Sequence, residues 1–419
     1  MPISRSLGGA AAACAAAVLL TVTGCSSGGG FDSSAPKQSS SGSPQSLSVM
    51  IATSGDAETA AVKQATAAWA RQTGNKVTVQ LASDINQQLG QAFAGNKPPD
   101  VFYVNSDQFA NYAKGGSLYA YGDQIPNASA FSGPLRDSFS YGGKLVCLPK
   151  DSSTLGLAIN TDLWKQAGLT AADYPTTWQQ LAKVAAKLTK GGVTGLVTTP
   201  DYQRLGALMK EAGGWITDPG QTAMTADSAA DRQALDFVKS MMSAGSLKYA
   251  SDVDAGWGGE ALGKKKAAMT IEGNWLAGAM KADFPSVGYT VVPLPAGPAG
   301  KGTLVFSNCW GVAARSGHQK AAVDLVRHLT SAGQQLAFAD AFGVMPSRTD
   351  ALATYARKYP AAKAWVDGIA YAQRPVTIAG FNQVLTQFNT DLQSLRTSSS
   401  AQILEGLQRN GGQVLKNGR

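Results

Sequence analysis

Histidine is nearly absent from this sequence. Its 419 residues include only two, His318 and His328, which lie on or beside one predicted helix. Neither is placed with a partner for metal ligation, and a Ser-His-Asp triad would have to use one of them. Both are interpreted as surface residues, so the sequence predicts no metal and no cofactor.

Charge of either sign is also sparse. Charged residues make up 15% of the chain, hydrophobic residues make up 44%, and the net charge is +8. The basic residues are scattered, apart from one run at residues 264–266 that is interpreted as a solvated helix turn. Because nucleic-acid-binding proteins concentrate basic residues on one face, we expect no nucleic-acid partner.

Long apolar runs are missing except near the N-terminus. Arg5 is followed by an uncharged, alanine-rich stretch, which is typical of a secretory signal. The stretch ends at Val22-Thr23-Gly24-Cys25, which resembles the bacterial lipobox, in which the cysteine is acylated and the peptide is cut before it. We therefore expect a signal peptide at residues 1–24 and a lipid on Cys25 that holds the protein on the extracytoplasmic face of the cell membrane.

Residues 25–46 consist mostly of serine, glycine and proline after Cys25. Such a composition cannot bury enough apolar surface to fold. As a flexible coil, this segment would span roughly 25 Å. It is predicted to be a tether.

Only two of the four cysteines remain for the folded body, Cys147 and Cys309. A disulfide between them is one interpretation, because disulfides persist in exported proteins. The other is two separate buried thiols. Two sulfurs without a nearby histidine do not make the usual zinc site.

Short β-rich runs alternate with amphipathic helical stretches after the tether. Strands are predicted at residues 47–52, 77–81 and 101–104, with helices between them. This order is typical of a parallel sheet covered by helices, in which ligands bind beyond the carboxyl ends of the strands. The loops after these three strands are therefore candidate binding loops.

A second α/β region follows, beginning with a helix at Trp178. Further strands are predicted at residues 193–198, 267–271 and 303–313, and further helices at residues 202–212 and 320–329. No internal repeat of solenoid or propeller period is present.

Tryptophan is the unusual feature, with eight residues. Four lie in helical patterns and are interpreted as packing residues: Trp69, Trp164, Trp178 and Trp365. The others lie among glycine and polar residues at the ends of elements: Trp215, Trp257, Trp275 and Trp310. An indole face suits the CH-rich face of a pyranose, while carboxylates and amides bind its hydroxyls. We expect at least one of the second four to line a ligand cleft.

Short motifs occur in one order along residues 47–410. They are Pro99-Asp100-Val101, Asp107-Gln108-Phe109, Gly116-Ser117-Leu118, Asn160-Thr161-Asp162-Leu163-Trp164, Ala167-Gly168-Leu169, Pro175-Thr176-Thr177-Trp178, Lys266-Ala267-Ala268-Met269, Gly273-Asn274-Trp275 and Gly343-Val344-Met345-Pro346-Ser347-Arg348. In this order, behind a lipobox, they resemble the extracellular sugar-binding proteins of bacterial ABC importers, a family similar to maltose-binding protein.

The resemblance implies an α/β fold of the type II periplasmic-binding-protein kind. Two lobes would be joined by a hinge of crossing strands, with the ligand cleft between them. The N-terminal lobe would comprise residues 46–152 with 308–353, and the C-terminal lobe residues 153–307 with 354–419. Cys147 and Cys309 would lie on crossing strands that run side by side, which favours the disulfide.

The resemblance also implies a function and a set of site residues. The protein would capture a sugar, with a di- or oligosaccharide favoured, deliver it to an ABC permease as a monomer, and catalyse no reaction. Trp275 matches a stacking tryptophan, Asp107 an aspartate that accepts hydrogen bonds from sugar hydroxyls, and Asp201 lies near a carboxylate of the second lobe. The other candidates are Ser54, Asp56, Asp151, Trp257, Glu272, Asn274, Asn308, Trp310 and Arg374.

Two departures from maltose-binding protein leave the sugar open. Gln108 stands where that protein has an arginine, and Ser153 stands near where it has a glutamate. One alternative is a glycerophosphodiester or similar phosphate-bearing ligand, for which Arg204 and Arg374 are candidates. A more distant one is a secreted glycoside hydrolase, which would need two carboxylates ~5–10 Å apart in the cleft.

Overall fold

The computed structural model of the protein describes residues 43–52 and 55–418. The expected signal peptide, Cys25, nearly all of the expected tether, and Ser54 lie outside these residues. Among the described residues, no helix combines the length and apolar character that a membrane span requires.

Fourteen strands are present in the described part of the chain. They are β1 (Ser46–Ile51), β2 (Lys76–Leu81), β3 (Val101–Asn105), β4 (Ser140–Tyr141), β5 (Lys144–Leu145), β6 (Leu148–Pro149), β7 (Ser153–Asn160), β8 (Thr194–Thr198), β9 (Leu247–Tyr249), β10 (Ala267–Gly273), β11 (Tyr289–Val292), β12 (Thr303–Phe306), β13 (Asn308–Val312) and β14 (Ala372–Gln373).

The same described residues form sixteen α-helices. They are α1 (Asp56–Thr73), α2 (Ile85–Ala94), α3 (Ser106–Lys114), α4 (Gly133–Ser138), α5 (Thr161–Gln166), α6 (Trp178–Leu188), α7 (Tyr202–Glu211), α8 (Ala229–Ser243), α9 (Gly258–Gly263), α10 (Trp275–Asp283), α11 (Gln319–Leu329), α12 (Ala332–Phe342), α13 (Thr349–Lys358), α14 (Lys363–Gly368), α15 (Phe381–Gln393) and α16 (Ser400–Asn417).

The strands form two mixed sheets, each at the centre of one lobe. The first lobe contains the sheet β2-β1-β3-β13-β6, in which β1 runs parallel to β2 and β3 while β13 is antiparallel to β3 and β6. The second lobe contains β14-β12-β7-β10-β8-β9, with β11 also paired to β7. Central strands such as β7 are buried along their whole length, since helices cover both faces of the sheet.

Local sequence explains where the helices begin and end. Thr177 caps α6 by accepting a hydrogen bond from the Gln180 amide, and the apolar stripe of this helix is buried against the second sheet. Helix α1 ends at Gly74, whose φ of 73° lies in the left-handed region that glycine adopts without strain.

Two chain segments cross between the lobes side by side. One leads from β6 into β7 and the other from β12 into β13; Val305 pairs with Thr154 on the second-lobe side, and Cys309 with Pro149 on the first-lobe side. The single strand predicted at residues 303–313 is therefore wrong. It is interrupted at Ser307, because the chain leaves one sheet there and enters the other.

A disulfide joins Cys147 to Cys309, with the two Cα atoms 5.6 Å apart. Both cysteines are fully buried in the core of the first lobe. The bond therefore ties β13 to the segment that leads into β6, on the first-lobe side of the crossing.

Each lobe has its own hydrophobic core, and α12 contributes to both. Phe338 packs in the core of the first lobe, whereas the next residue, Ala339, packs with Met345 and Trp365 in a cluster of the second lobe. Helix α12 thus packs against both lobes.

The two histidines lie on either end of α11 and are less exposed than surface residues would be. His318 precedes the helix, and its Nδ1 lies 3.1 Å from Oδ1 of Asp100. The Nε2 atom of His328 is buried. The interpretation of both as surface residues is therefore wrong in part, because α11 packs against the first sheet.

Asp231 is a buried carboxylate in the first turn of α8. Its Oδ2 accepts a hydrogen bond of 2.6 Å from the Ser228 hydroxyl, and burial raises its pKa from 3.8 to about 7. The folded state therefore binds this proton more tightly than the unfolded state. The resulting stabilisation is complete below about pH 4 and is lost as the pH rises through about 7.

We expect Asp231→Asn to become more stable relative to the wild type as the pH rises from about 4.5 to about 7, by at most ~1.4 kcal/mol per pH unit. Urea unfolding at a series of pH values measures this difference. Asp236→Asn, at an exposed position of the same helix, is the matched control and should show no such trend. A constant difference between Asp231→Asn and the wild type would contradict the prediction.

Candidate ligand-binding cleft

The two lobes face each other across the ends of their strands. In the first lobe, β3 leads directly into α3, which carries Asp107 in its first turn. In the second lobe, α7 begins at Tyr202 and α10 begins at Trp275. Burial, followed by the negative charge of Asp107, raises the pKa of Tyr202. The Asn111 side chain of α3 accepts a hydrogen bond of 2.7 Å from the Gly380 amide, so α3 forms the first-lobe wall of a cleft.

Trp275 is the most exposed tryptophan in the described chain, with 38% of its surface accessible. Its indole Nε1 donates to Oε2 of Glu272 at 2.9 Å, and the Phe306 ring meets it edge-on at 5.7 Å between centroids. The residue therefore presents an oriented aromatic face to solvent on the second-lobe wall.

Arg204 lies against this tryptophan. Its Nη2 donates to Oε2 of Glu272 at 2.8 Å, and its guanidinium carbon is 5.4 Å from the centroid of the Trp275 ring. Its Nη1 lies 3.3 Å from Oδ2 of Asp201. Burial by itself lowers the pKa of Arg204, but the two carboxylates outweigh it, and the net shift is upward.

The carboxylates of the second-lobe wall are held by many donors. Asp201 caps α7 by accepting from the Arg204 amide at 2.9 Å, and it also accepts from the Thr199 hydroxyl at 2.5 Å. Glu272 is fully buried, which raises its pKa, while Arg204 and Trp275 oppose that shift. The guanidinium of Arg204 therefore lies between two carboxyl groups on this wall.

The first-lobe wall is polar. Asp107 is exposed, yet the surrounding atoms desolvate its carboxylate enough to raise its pKa, as expected for a group inside a cleft. One helical turn on, the Asn111 amide donates to Gln108 at 3.1 Å. The Asn105 side chain donates to Asn86 at 3.3 Å. Such side chains can accept and donate hydrogen bonds to hydroxyl groups.

A buried group of charges, the hinge cluster, lies where both crossing segments leave the first lobe. It consists of Lys150, Asp151, Glu58, Tyr103 and Ser307. Lys150 Nζ lies 2.9 Å from Glu58 and 2.5 Å from Asp151. The Tyr103 hydroxyl donates to Glu58 at 3.0 Å, and the Ser307 hydroxyl donates to Asp151 at 3.3 Å.

Most of the site residues predicted from the sequence lie beside these walls. Glu272, Asn274 and Trp275 follow one another at the end of β10, and Asp201 precedes α7 beside them. Asp151 belongs to the hinge cluster. Asn308 begins β13, where it pairs in register with Asn105 of the first-lobe wall.

Two further predicted residues flank the same region. Trp257 is half-buried and directly precedes α9. Its neighbour Gly258 lies close to Glu272, since a Cβ atom built on that glycine would be 2.8 Å from Oε1 of Glu272. Asp56 is exposed at the first position of α1.

Trp310 lies in a core and not on a cleft wall, and the guanidinium of Arg374 is engaged by a backbone carbonyl. Trp310 is fully buried in the first core and packs edge-on against Tyr103 at 4.6 Å, because β13 is an inner strand covered on both faces. Arg374 follows β14, and its Nη2 donates to the Pro219 carbonyl at 2.8 Å. Strand β14 runs parallel to β12, so the two strands end on the same side of the sheet, but β14 is the edge strand.

Sequence reasoning missed Tyr202, Phe306 and the lysine of the hinge cluster. Tyr202 directly follows a predicted site residue, so its position beside Asp201 was a usable signal. Lys150 directly precedes the predicted residue Asp151, which was a similar signal, but its pairing with the distant Glu58 depends on the fold alone.

Comparison with known proteins identifies the family. Residues 52–336 match the family described as bacterial extracellular solute-binding protein. A probable ABC transporter-binding protein of Deinococcus radiodurans is 29% identical over 374 residues, which cover 81% of this chain and 86% of the relative.

Two solved structures share the fold at low identity. The cyclic alpha-maltosyl-1,6-maltose binding protein from Arthrobacter globiformis has a TM-score of 0.79 and 20% identity, covering 90% of this chain and 100% of that chain. UgpB from Mycobacterium tuberculosis, in complex with glycerophosphocholine, has a TM-score of 0.77 and 18% identity, covering 90% and 99%. These likenesses confirm the expected two-lobed α/β fold of type II periplasmic binding proteins. The family match extends over more than half of the chain, and the chain therefore belongs to the bacterial extracellular solute-binding protein family.

Proposed function

We propose that the protein captures a sugar outside the cell and delivers it to the permease of an ABC importer. The observation that carries this proposal is the oriented and exposed indole face of Trp275, set among carboxylates and opposite the polar wall of α3. An apolar ring face with nearby hydrogen-bond acceptors matches the CH face and the hydroxyls of a pyranose. Asp107 would accept from hydroxyls across the cleft.

The family places the protein outside the cytoplasm, and its match to known binding proteins supports the role in import. The structural neighbour from Arthrobacter is named for binding a cyclic maltosyl-maltose, which supports a saccharide as the ligand. The other neighbour binds glycerophosphocholine, so a phosphodiester is the second candidate.

The charges of the cleft favour the sugar over the phosphodiester. Arg204 is the cation on the second-lobe wall, and Glu272 and Asp201 already neutralise it. The other candidate is Arg374, whose guanidinium donates a hydrogen bond to a backbone carbonyl. A phosphate would therefore have to compete with two fixed carboxylates for its cation.

We also propose that the protein binds without covalent chemistry. Glu272 is fully buried, and its Oε2 accepts from both Arg204 and Trp275. A glycosidase would need its two carboxyl groups beside the scissile bond, one of them ready to donate a proton. The ion pair and burial of Glu272 suit a structural acceptor instead.

The proposed anchor is a lipid on Cys25, supported by Val22-Thr23-Gly24-Cys25 and by the composition of residues 26–46. The tether would leave the two lobes free to close on a ligand near the membrane, as a monomer, within reach of the permease.

A thermal-shift screen of the purified protein tests the proposal. The panel contains mono-, di- and oligosaccharides, together with glycerophosphocholine. A ligand present at a hundred times its dissociation constant adds ~2.7 kcal/mol of stability, which raises the melting temperature by several degrees. A shift with one group of sugars is expected. A shift with glycerophosphocholine alone would contradict the sugar assignment while leaving the family assignment intact.

A further inference from the structure

One carboxylate oxygen organises the exposed tryptophan of the cleft. Oε2 of Glu272 accepts from the Trp275 indole at 2.9 Å and from the Arg204 guanidinium at 2.8 Å. Glu272 is itself fully buried at the end of β10, and its backbone carbonyl accepts a hydrogen bond of 3.0 Å from the Trp365 indole. The acceptor shared by Arg204 and Trp275 is therefore fixed to the sheet.

Arg204 is held as firmly from its other side. It lies in the first turn of α7, its side chain is 14% exposed, and Asp201 binds both its amide and its guanidinium. Its guanidinium carbon stands 5.4 Å from the centroid of the Trp275 ring, within the range of a cation–π contact. Arg204 thus touches the tryptophan directly and also through Glu272.

We propose that Arg204 is a positioning residue that holds the indole of Trp275 in its ligand-ready orientation, and that it is not a ligand for anions. This inference rests on the proposed function, in which Trp275 is the platform for a sugar ring. A half-exposed indole that is free to rotate would lose conformational freedom on binding, and an indole already fixed avoids that loss. The shared oxygen and the ring contact supply the fixation.

The same geometry makes the cleft select against anionic ligands. To bind a phosphate or carboxylate, Arg204 would have to share its positive charge with a third anion beside Glu272 and Asp201, which already pair with it. Neutral sugars leave the ion pair intact. Arg204 therefore contributes to specificity although it need not touch the ligand.

Fluorine NMR of protein labelled with 5-fluorotryptophan tests the positioning role without any ligand. The chain has eight tryptophans, and Trp275→Phe identifies the resonance of Trp275 by its absence. In Arg204→Met we expect that resonance to shift and broaden more than the other seven, because the indole then exchanges between several orientations. Arg204→Lys keeps the charge without the planar geometry of the guanidinium. The width of its Trp275 resonance should lie between those of the wild type and Arg204→Met.

Two further variants serve as controls for this experiment. Arg396→Met removes a more exposed guanidinium that pairs with Asp252 in the same lobe, and it should leave the Trp275 resonance unchanged. Arg204→Met combined with Glu272→Gln removes the buried charge and keeps an acceptor, so it tests the role if the single variant does not fold. It should still broaden the resonance.

A Trp275 resonance with wild-type position and width in these Arg204 variants would overturn the positioning role, whatever the sugar screen shows. A rise in melting temperature with glycerophosphocholine or inorganic phosphate would overturn the selection against anions. Failure of every sugar in the screen would instead count against the proposed function, because the NMR experiment contains no ligand.

Discussion

Replacing Trp275 with alanine is expected to weaken sugar binding roughly tenfold to a hundredfold, or ~1–3 kcal/mol, without unfolding the protein. The effect on binding is large because the indole supplies the exposed apolar face of the second-lobe wall. The effect on the fold is small because more than a third of the side chain is already in water and the core of α10 is formed by Leu276 and Met280 instead. Calorimetric titration with the sugar that the screen identifies measures the change.

Trp275→Phe is the matched variant. It keeps an aromatic face but loses the Nε1 donor to Glu272, so its affinity should lie between those of the wild type and the alanine variant. Unchanged melting temperatures for both variants would show that the fold is intact. If Trp275→Ala bound the sugar with wild-type affinity, Trp275 would not belong to the binding site, and the main support for a sugar ligand would be lost.

Replacing Lys150 with methionine is expected to destabilise the protein by ~3–5 kcal/mol. The lysine side chain is only 9% exposed and lies between Glu58 and Asp151, and its Nζ is 4.8 Å from the Tyr103 ring. Burial by itself lowers the pKa of Lys150, but Asp151 and then Tyr103 raise it, and the net shift is upward. Without this cation, two carboxylates would remain together in a desolvated site.

Chemical denaturation of Lys150→Met measures the change. Lys363→Met is the control, because its ammonium forms a salt bridge of similar length with Asp367 but is 74% exposed. Water screens that pair, so its loss should cost less than about 1 kcal/mol. An equally small cost for Lys150→Met would mean that the hinge cluster does not stabilise the junction of the lobes.

The hinge cluster also bears on how the lobes move. It joins the start of α1, strand β3 and both crossing segments on the first-lobe side of the hinge. The disulfide lies on the same first-lobe side. The crossing is therefore braced at its first-lobe end, and we expect bending between the lobes to occur beyond that end, toward Ser153.

Hydrophobic periodicity was sufficient to predict several of the longer elements of the fold. The apolar stripe of α6 and the apolar run of β3 depend on burial of one helix face or of a whole inner strand, and both patterns are visible in a few consecutive residues. The break at Ser307 was not visible, because residues 303–313 are equally apolar on both sides of the point where the strand changes sheets.

The site could be predicted in part for a similar reason. Trp275, Asn274 and Glu272 end one strand and lie together in any fold that keeps that strand. Trp310 resembled them in its glycine and polar neighbours, yet it is buried, because β13 lies between two other strands of its sheet. Neighbouring residues in sequence do not reveal whether a strand is an inner one.

By itself, then, the sequence determined the α/β class and the strand ends that carry the candidate site, since each depends on residues close together in the chain. Tertiary structure alone decided which charges meet: Arg204 with Glu272, and Lys150 with Glu58. The reason is physical, because the pairing of buried charges depends on distances and desolvation that arise only when separate segments pack together.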